Sequence, residues 1–513
     1  MSVTSGGTGR RLSLRPPQRP VARPALSIRG TGGGDVAGGA EAGALRAGDA
    51  TRGGGAPAGS AAASHISNDQ YMSDFDTAYQ QLYGDTPPFA SFNSALALAR
   101  FSSRREAAEL GLSLTQAPAA VPDPLPLAAG WKTGPANAEG SVVDLSDRPI
   151  MCAALDPRST AARAEFLVGG SDHAVYGVDL LRASKSRLLY GGRTGHTEWV
   201  TGVTFVGDGS GRAASCGMDA RVCLWEAGGS VRAPPRCTVL EGHFGSVSTV
   251  ACAGGGTPQG GPNSLRAGHV VVSAGYDKTL RLWDARRGGL ALAELRGHAA
   301  PVIALALRAH DATSTFFAAS GDRSGVVRVW DTGAGMPVAE LNGHAGHITS
   351  LCWMEDLLLS GAQDGHVRVW DVRARAPVAN IAAHATATGS GAVGDIAVSE
   401  AAASETAEAA PLVVTAGADK RMCVLDPRAG WDVRATLPGH RDFIYTLQCV
   451  RGLAISGAGD GLLIVHDVAS GKPLWGVGAN AAAVRCVAAL ADKSTRQVLA
   501  AAGDDGKAIV YNL

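Results

Sequence analysis

From Val142 to the C terminus, short runs of β-branched and apolar residues alternate with turns of Gly, Asp and Asn. Val270-Val271-Val272-Ser273 and Thr279-Leu280-Arg281-Leu282-Trp283 are typical, bounded by Gly and Asp. This is the composition of pleated, partly buried strands. The runs also keep a register. Eight times a small residue, then an Asp or its substitute, then an aromatic or apolar residue appear, the first two lying ten and six residues before the third. Ser215, Asp219 and Trp225 form one such set, Ser273, Asp277 and Trp283 the next, and Ser360, Asp364 and Trp370 another. The residue after the third position is usually acidic: Glu226, Asp284, Asp331, Asp371. A His lies upstream in six units, after Gly at His196, His243, His298, His344 and His440 and after Ala at His384.

A unit of roughly 35 to 55 residues ending in Trp-Asp cannot bury its apolar face alone, so stacked copies must cover one another. The pattern predicts an all-β chain built as a closed ring of four-stranded sheets. It resembles the WD40-repeat β-propeller family over residues 141–513, nearly three-quarters of the chain. That resemblance implies a β-propeller of eight blades, with seven as the alternative because units one and eight are degenerate. Unit one keeps Asp172 but has Val178 and Asp179 for Trp-Asp, and unit eight keeps Asp505 and ends in Tyr511 and Asn512. Unit eight stops after its third strand, and an open ring leaves an edge unpaired. Ser141–Leu145 is expected to supply the missing strand. Gly/Ala-rich insertions at 254–268, 385–410 and 228–236 are read as loops.

Upstream the pattern changes. Residues 1–66 are rich in Gly, Ala, Arg and Pro and have too few large apolar residues to form a core, so a disordered tail is expected. The first 34 residues carry six Arg and no acid, as in an organelle transit peptide or a plain basic tail. Within them Arg10-Arg11-Leu12-Ser13 resembles a basophilic kinase site, and Pro17 to Pro20 is a PxxP. Residues 67–115 read as a short helical segment. Tyr71, Phe75, Tyr79 and Tyr83 recur every fourth residue, and a second stretch carries Phe92, Leu96 and Phe101. So short a segment needs something to dock on, either the ring or a partner. Residues 116–140, with five Pro, read as linker.

Net charge is zero, which argues against nucleic acid or a membrane surface as partner, and no apolar run is long enough to span a membrane. The nine Cys are odd in number and include no CxxC pair, so reduced thiols are expected. A cytoplasmic location follows, with the nucleus and organelle import as alternatives. Arg outnumbers Lys 39 to 7, a bias that weakens any argument from Arg alone. No P-loop, HExxH, GxSxG or paired Cys/His zinc spacing occurs, and neither catalysis nor a cofactor or metal is expected.

The repeated His, Ser, Asp and Trp look like a hydrolase triad, but a triad occurs once. The resemblance assigns them to a buried network inside each blade: His196, Ser215, Asp219, Trp225; His243, Ser273, Asp277, Trp283; His344, Ser360, Asp364, Trp370. Unit four has Ser324 where Asp is expected and Asp322 two residues early. Unit six has Leu425 for Trp, unit seven has His466, and unit eight has Asn480 for His. These four are expected to be tied less tightly. The resemblance also implies a non-catalytic scaffold binding peptides or proteins on one rim, through residues at the starts of the first strands and before the turn Asp. Those are Trp199, Phe443, Tyr445 and Arg485, and Met218, Tyr276, Arg323 and Gln363. Finally, Trp283-Asp284-Ala285-Arg286 and Trp370-Asp371-Val372-Arg373 are similar to the WDxR motif of substrate receptors in cullin-RING ubiquitin ligases, with Leu425-Asp426-Pro427-Arg428 a weaker third. That implies, as the alternative function, a ligase adaptor held by Arg286 and Arg373 on the opposite face.

Overall fold

The computed structural model describes residues 127–513 apart from 160–162, 191–193, 234, 253–266, 310–315, 387–388, 400–410 and 492–496. The tail, the helical segment and the two short motifs near the N terminus lie outside the described residues.

The strands pair as eight antiparallel four-stranded sheets, with one two-stranded hairpin besides. The inner strands are Ile150–Leu155, Val200–Phe205, Val247–Cys252, Val302–Ala309, Ile348–Met354, Val393–Ser399, Ile444–Val450 and Val484–Leu490. Each lies against the next, and the eighth returns to the first, which makes an eight-bladed ring. The hydropathy of the strands follows their radial position. Val484–Leu490 is buried at every residue, whereas the outer strands Lys472–Gly478 and Asp432–Leu437 are largely exposed.

The eighth blade combines Val484–Leu490, Val498–Gly503 and Lys507–Asn512 with Ser141–Asp144. Val142 lies opposite Ile509 and Val143 opposite Ala508, so the two ends of the described chain close the ring with backbone hydrogen bonds. In every blade but the seventh the residue in the Trp position packs on the blade before it. Trp283 lies among Ala214, Cys216 and Leu224 of blade two, Trp330 among Val272 and Leu282 of blade three, and Trp370 among Val327 and Val329 of blade four. The same joint closes the ring where the repeat is degenerate: Val178 of blade one packs with Ala488, Ala500 and Val510 of blade eight. Blade six has Leu425 in that place, but Trp431, from the turn six residues later, enters the same cluster and is 7% exposed.

Two sequence expectations change. The span 385–410 is not one loop. It contains the inner strand of blade six, Val393–Ser399, because a four-stranded blade needs one and Val393, Ile396 and Val398 supply the buried face. The extra residues are divided between a hairpin, Ala385–Thr386 with Gly389–Ser390, and the following connection. The stretch 116–140 is not linker throughout. Its C-terminal part forms a helical turn, α1 (Gly130–Thr133), whose Trp131 is 0% exposed. The Trp131 indole Nε1 donates to Gln497 Oε1 at 2.6 Å, and Trp475 Nε1 donates to the Trp131 carbonyl at 2.9 Å. One large aromatic amid Pro and Ala is enough to dock a segment on blades seven and eight.

This docking can be tested. Trp131→Ala is expected to cost about 3–5 kcal/mol of stability, as for a buried Trp, whereas Lys132→Ala, exposed on the same turn, should stay within about 0.5 kcal/mol. Urea unfolding of the two variants beside the parent chain measures both.

Candidate binding face of the ring

Within blade three, His243 Nε2 lies 2.7 Å from Ser273 Oγ, His243 Nδ1 lies 2.7 Å from Asp277 Oδ2, and Trp283 Nε1 donates to Ser273 Oγ at 2.9 Å. The direction of each bond follows from the inventory of donors. The Asp277 carboxylate only accepts, so His243 Nδ1 carries the proton and donates to it. Nε2 is then the acceptor and takes the Ser273 hydroxyl, whose oxygen accepts the indole N–H. Blade two repeats this with His196, Ser215, Asp219 and Trp225, and blade five with His344, Ser360, Asp364 and Trp370. The distances are those of a hydrolytic triad, yet Ser215, Ser273 and Ser360 are 0% exposed beneath the indoles. No substrate carbonyl reaches such an oxygen.

Blade four corrects the expectation from spacing. Asp322, two residues early, receives His298 Nδ1 at 2.8 Å, while Ser320 lies 2.7 Å from His298 Nε2 and accepts from Trp330 Nε1 at 2.8 Å. All four members are present. Ser324 takes a supporting place, its hydroxyl 2.6 Å from Asp322 Oδ1. The other degenerate blades do lose members. Blade six keeps His384, Thr415 and Asp419, and blade seven keeps His440, Ser456 and Asp460. His466, in the Trp place of blade seven, turns away to the Pro438 carbonyl at 3.0 Å. In blade eight Asn480 reaches Asp505 at 2.7 Å, but its carbonyl oxygen has no partner among the described residues.

Burial alone would push the carboxyls of Asp219, Asp277, Asp322 and Asp364 up. The His partner and the backbone N–H bonds outweigh it, so all four titrate below the ordinary carboxylate, Asp364 at about 2.

The rim is organised by a second repeated bond. In each blade the backbone N–H of the residue before the turn Asp, or its equivalent, donates to the carbonyl just before the inner strand. The pairs are Ser171 to Pro149, Met218 to Trp199, Tyr276 to Ser246, Arg323 to Pro301, Gln363 to His347, Ala418 to Ala392, Gly459 to Phe443 and Asp504 to Ala483. The two residue classes proposed for binding are therefore neighbours in every blade. Neighbouring blades also touch here, since Ser246 Oγ donates to the Met218 carbonyl at 3.0 Å. Trp199, Tyr276, Arg323, Gln363 and Phe443 are half-buried, each with part of its surface open. Burial and then the adjacent Arg323 lower the pKa of His347.

Three expected rim residues are not exposed: Met218 at 4%, Tyr445 at 6% and Arg485 at 7%. Tyr445 and Arg485 occupy a bulge in the inner strand, where the register skips one residue. The bulge turns the side chain across to the neighbouring blade. At the same position Thr201, Ser248 and Thr349 donate to carbonyls of the next inner strand, each at 2.5 Å. Tyr445 and Arg485 serve the same joint differently. The guanidinium lies 4.0 Å from the Tyr445 ring centroid and pairs with Asp504 at 2.9 Å. Conversely, sequence reasoning missed Phe244. It follows His243 and is 83% exposed, propped against the Arg281 guanidinium at 5.9 Å. Gly245 beside it passes over Tyr276, so Phe244 and Tyr276 form one aromatic corner. A bulky aromatic directly after Gly-His, where the other units have Thr, Ala or Arg, was the available signal.

Arg286 and Arg373 lie at the other end of the strands and are exposed. Their backbone N–H groups donate to Asp284 and Asp371 at 2.9 and 2.8 Å, so the acid after each Trp caps the turn that carries the Arg. Arg373 also pairs at 3.1 Å with Asp356, in the hairpin that leaves the inner strand of blade five.

The profile of the WD domain, G-beta repeat family matches residues 189–226, 235–284, 289–331 and 335–371. These spans cover blades two to five, the four in which all members of the network are present. Among curated proteins, the nuclear distribution protein PAC1 of Arthroderma benhamiae is 32% identical over 161 residues, 31% of this chain and 32% of that protein. The CCR4-associated factor 4 homolog of Candida glabrata is 28% identical over 180 residues, 31% of this chain and 28% of that protein. The chain spans about a third of the length of the curated relatives it matches. The crystal structure of the computationally designed Ika8 protein shares the fold, with a TM-score of 0.56 and 23% identity, over 73% of this chain and 100% of that one.

Two outcomes check the network. Asp322→Ala should destabilise as much as Asp277→Ala, about 1–3 kcal/mol each for a stranded buried partner, and chemical denaturation of the pair measures it. A carboxylate whose folded pKa is depressed stabilises fully above its unfolded value of about 4 and loses that contribution as the pH falls through the folded pKa. Thermal midpoints should therefore fall between about pH 4 and pH 2, and less steeply in Asp364→Asn, which has no carboxylate to titrate at that site.

Proposed function

This chain belongs to the WD40-repeat β-propellers, and from that premise we propose that it is a non-catalytic scaffold holding peptides or proteins on the rim that carries Trp199, Phe244 and Tyr276. The observation that carries the proposal is the aromatic corner. Phe244 is 83% exposed although the surrounding fold gives it no interior to fill, and it stands beside half-buried Tyr276. Trp199 borders them through Met218 and Ser246. Arg323 and Gln363 continue the surface onto blades four and five. Aromatic rings and Arg at a partly desolvated surface are the groups that dominate binding hot spots. The Ser-His-Asp sets offer no rival chemistry, since their hydroxyls are sealed. Among the described residues no helix is long and apolar enough to cross a membrane.

The second reading, a substrate receptor of a ubiquitin ligase, draws on the exposure of Arg286 and Arg373 at the opposite face. The two readings make different demands on the same molecule. Trp199→Ala and Phe244→Ala should fold normally and weaken capture of rim partners by about thirtyfold, the loss of about 2 kcal/mol expected for an aromatic anchor. Arg286→Ala with Arg373→Ala should leave those partners bound and release only a ligase adaptor. Quantitative mass spectrometry of complexes captured from the native cell compares the variants. Retention of every partner by both aromatic variants, with loss in the Arg pair, would reverse the order of the two readings.

A further inference from the structure

The rim is unbalanced in charge. On blades three to five its carboxylates are committed: Asp277, Asp322 and Asp364 to the His network, Glu294 and Glu340 to Arg281 and Arg328. The cations are not. Lys278 is exposed and Arg323 half-buried beside His347, and neither side chain has a carboxylate partner among the described residues. Among the described residues the acids of this arc without an ion pair are half-buried Glu198, beside Trp199, and exposed Glu241, both on blade two, whereas Lys278 and Arg323 lie on blades three and four. Aromatic surface at Trp199, Phe244 and Tyr276 adjoins these cations. The complement of such a surface is a segment carrying aromatic rings and carboxylates together.

The chain contains one. Residues 68–85 read NDQYMSDFDTAYQQLYGD, with Tyr71, Phe75, Tyr79 and Tyr83 every fourth residue and Asp69, Asp74, Asp76 and Asp85 among them. No Lys or Arg occurs between residues 53 and 99. We infer that residues 68–85 are the occupant of this rim: an internal ligand that covers the aromatic corner and sets its carboxylates against Arg323 and Lys278. The inference rests on the rim being the binding face.

Two further observations favour it. First, the tether suffices. From residue 86 to residue 126 there are 41 residues, up to about 135 Å when extended, against about 20 Å for a six-residue strand from one face to the other. Second, the opposite face fits less well. Its exposed apolar residues, such as Leu290 and Met336, are not aromatic, and although Arg286 and Arg375 have no ion pair among the described residues, Arg287, Arg373 and Arg428 each lie within ion-pair distance of a carboxylate. A ring docked on an intramolecular site lowers the apparent affinity of any external partner by occupying the same surface at high effective concentration. The segment would thus set a threshold for partners of the same chemistry.

The test uses the full chain with Tyr79 replaced by the photo-crosslinker p-benzoylphenylalanine. A mixture of isotopically light and heavy chains separates contacts within one molecule from contacts between two. The expected result is crosslinking within one molecule to peptides containing Trp199, Phe244, Tyr276 or Arg323. The yield should fall about tenfold in Arg323→Glu with Lys278→Glu, and recover when Asp74→Lys and Asp76→Lys are added. Arg286→Ala with Arg373→Ala should leave it unchanged. Crosslinks to the opposite face, crosslinks only between molecules, no crosslinks to the ring, or a yield indifferent to the charge reversal would each overturn the inference. Such failures leave the rim reading standing if Trp199→Ala and Phe244→Ala still lose their partners. If those variants keep every partner, it is the rim reading that fails.

Discussion

A four-stranded blade has two apolar faces and no means of covering either. Everything else in this molecule follows from that constraint. Neighbouring blades cover one another, most of them through one large residue placed on the blade before, and the sum of eight such joints has no free end. The joint between blades eight and one is therefore as necessary as any other, although its residues are Val178, Ala488, Ala500 and Val510 rather than an indole. The strand Ser141–Asp144 completes the same blade by backbone pairing, so chain entry and chain exit are held in one sheet.

The His-Ser-Asp-Trp network acts on that joint. Its Ser receives the indole N–H and so fixes the ring that reaches the neighbouring blade, while the Asp ties the connection between blades through the His and, in blade three, through the Phe244 N–H at 3.2 Å. One polar chain thus orients the interior and holds the loop that carries the rim. The catalytic-looking chemistry is a consequence of satisfying buried polar groups. Where the Trp is missing the solution is local: Trp431 enters from a turn in blade six, and His466 turns to a carbonyl in blade seven.

The rim illustrates how position and exposure diverge. A residue at the start of an inner strand looks outward if it precedes the strand, as Trp199 and Phe443 do. Two residues on, at the bulge, it is committed to the next blade, as Tyr445 and Arg485 are. Phe244, with no place in either series, is among the most exposed large apolar residues described. The proposed binding surface consists of what the joints leave over, and on that reading it is confined to part of the ring.

The repeat determined the fold class and pointed to the strand that closes the ring; it favoured eight blades over seven, and the family resemblance it carries implied the network in blades two, three and five. These depend on contacts at constant spacing, and a period in sequence records them directly. Tertiary structure decided the rest. Asp322 substitutes for an Asp two residues later because the carboxylate need only reach His298 Nδ1, a demand on distance that spacing does not encode. Trp131 is core rather than linker because Gln497 and Trp475, more than 340 residues away in sequence, meet it. Tyr445 and Arg485 are buried because a bulge, set by pairing between strands, turns them toward a neighbour. In each case the deciding partner is brought close only when the ring closes.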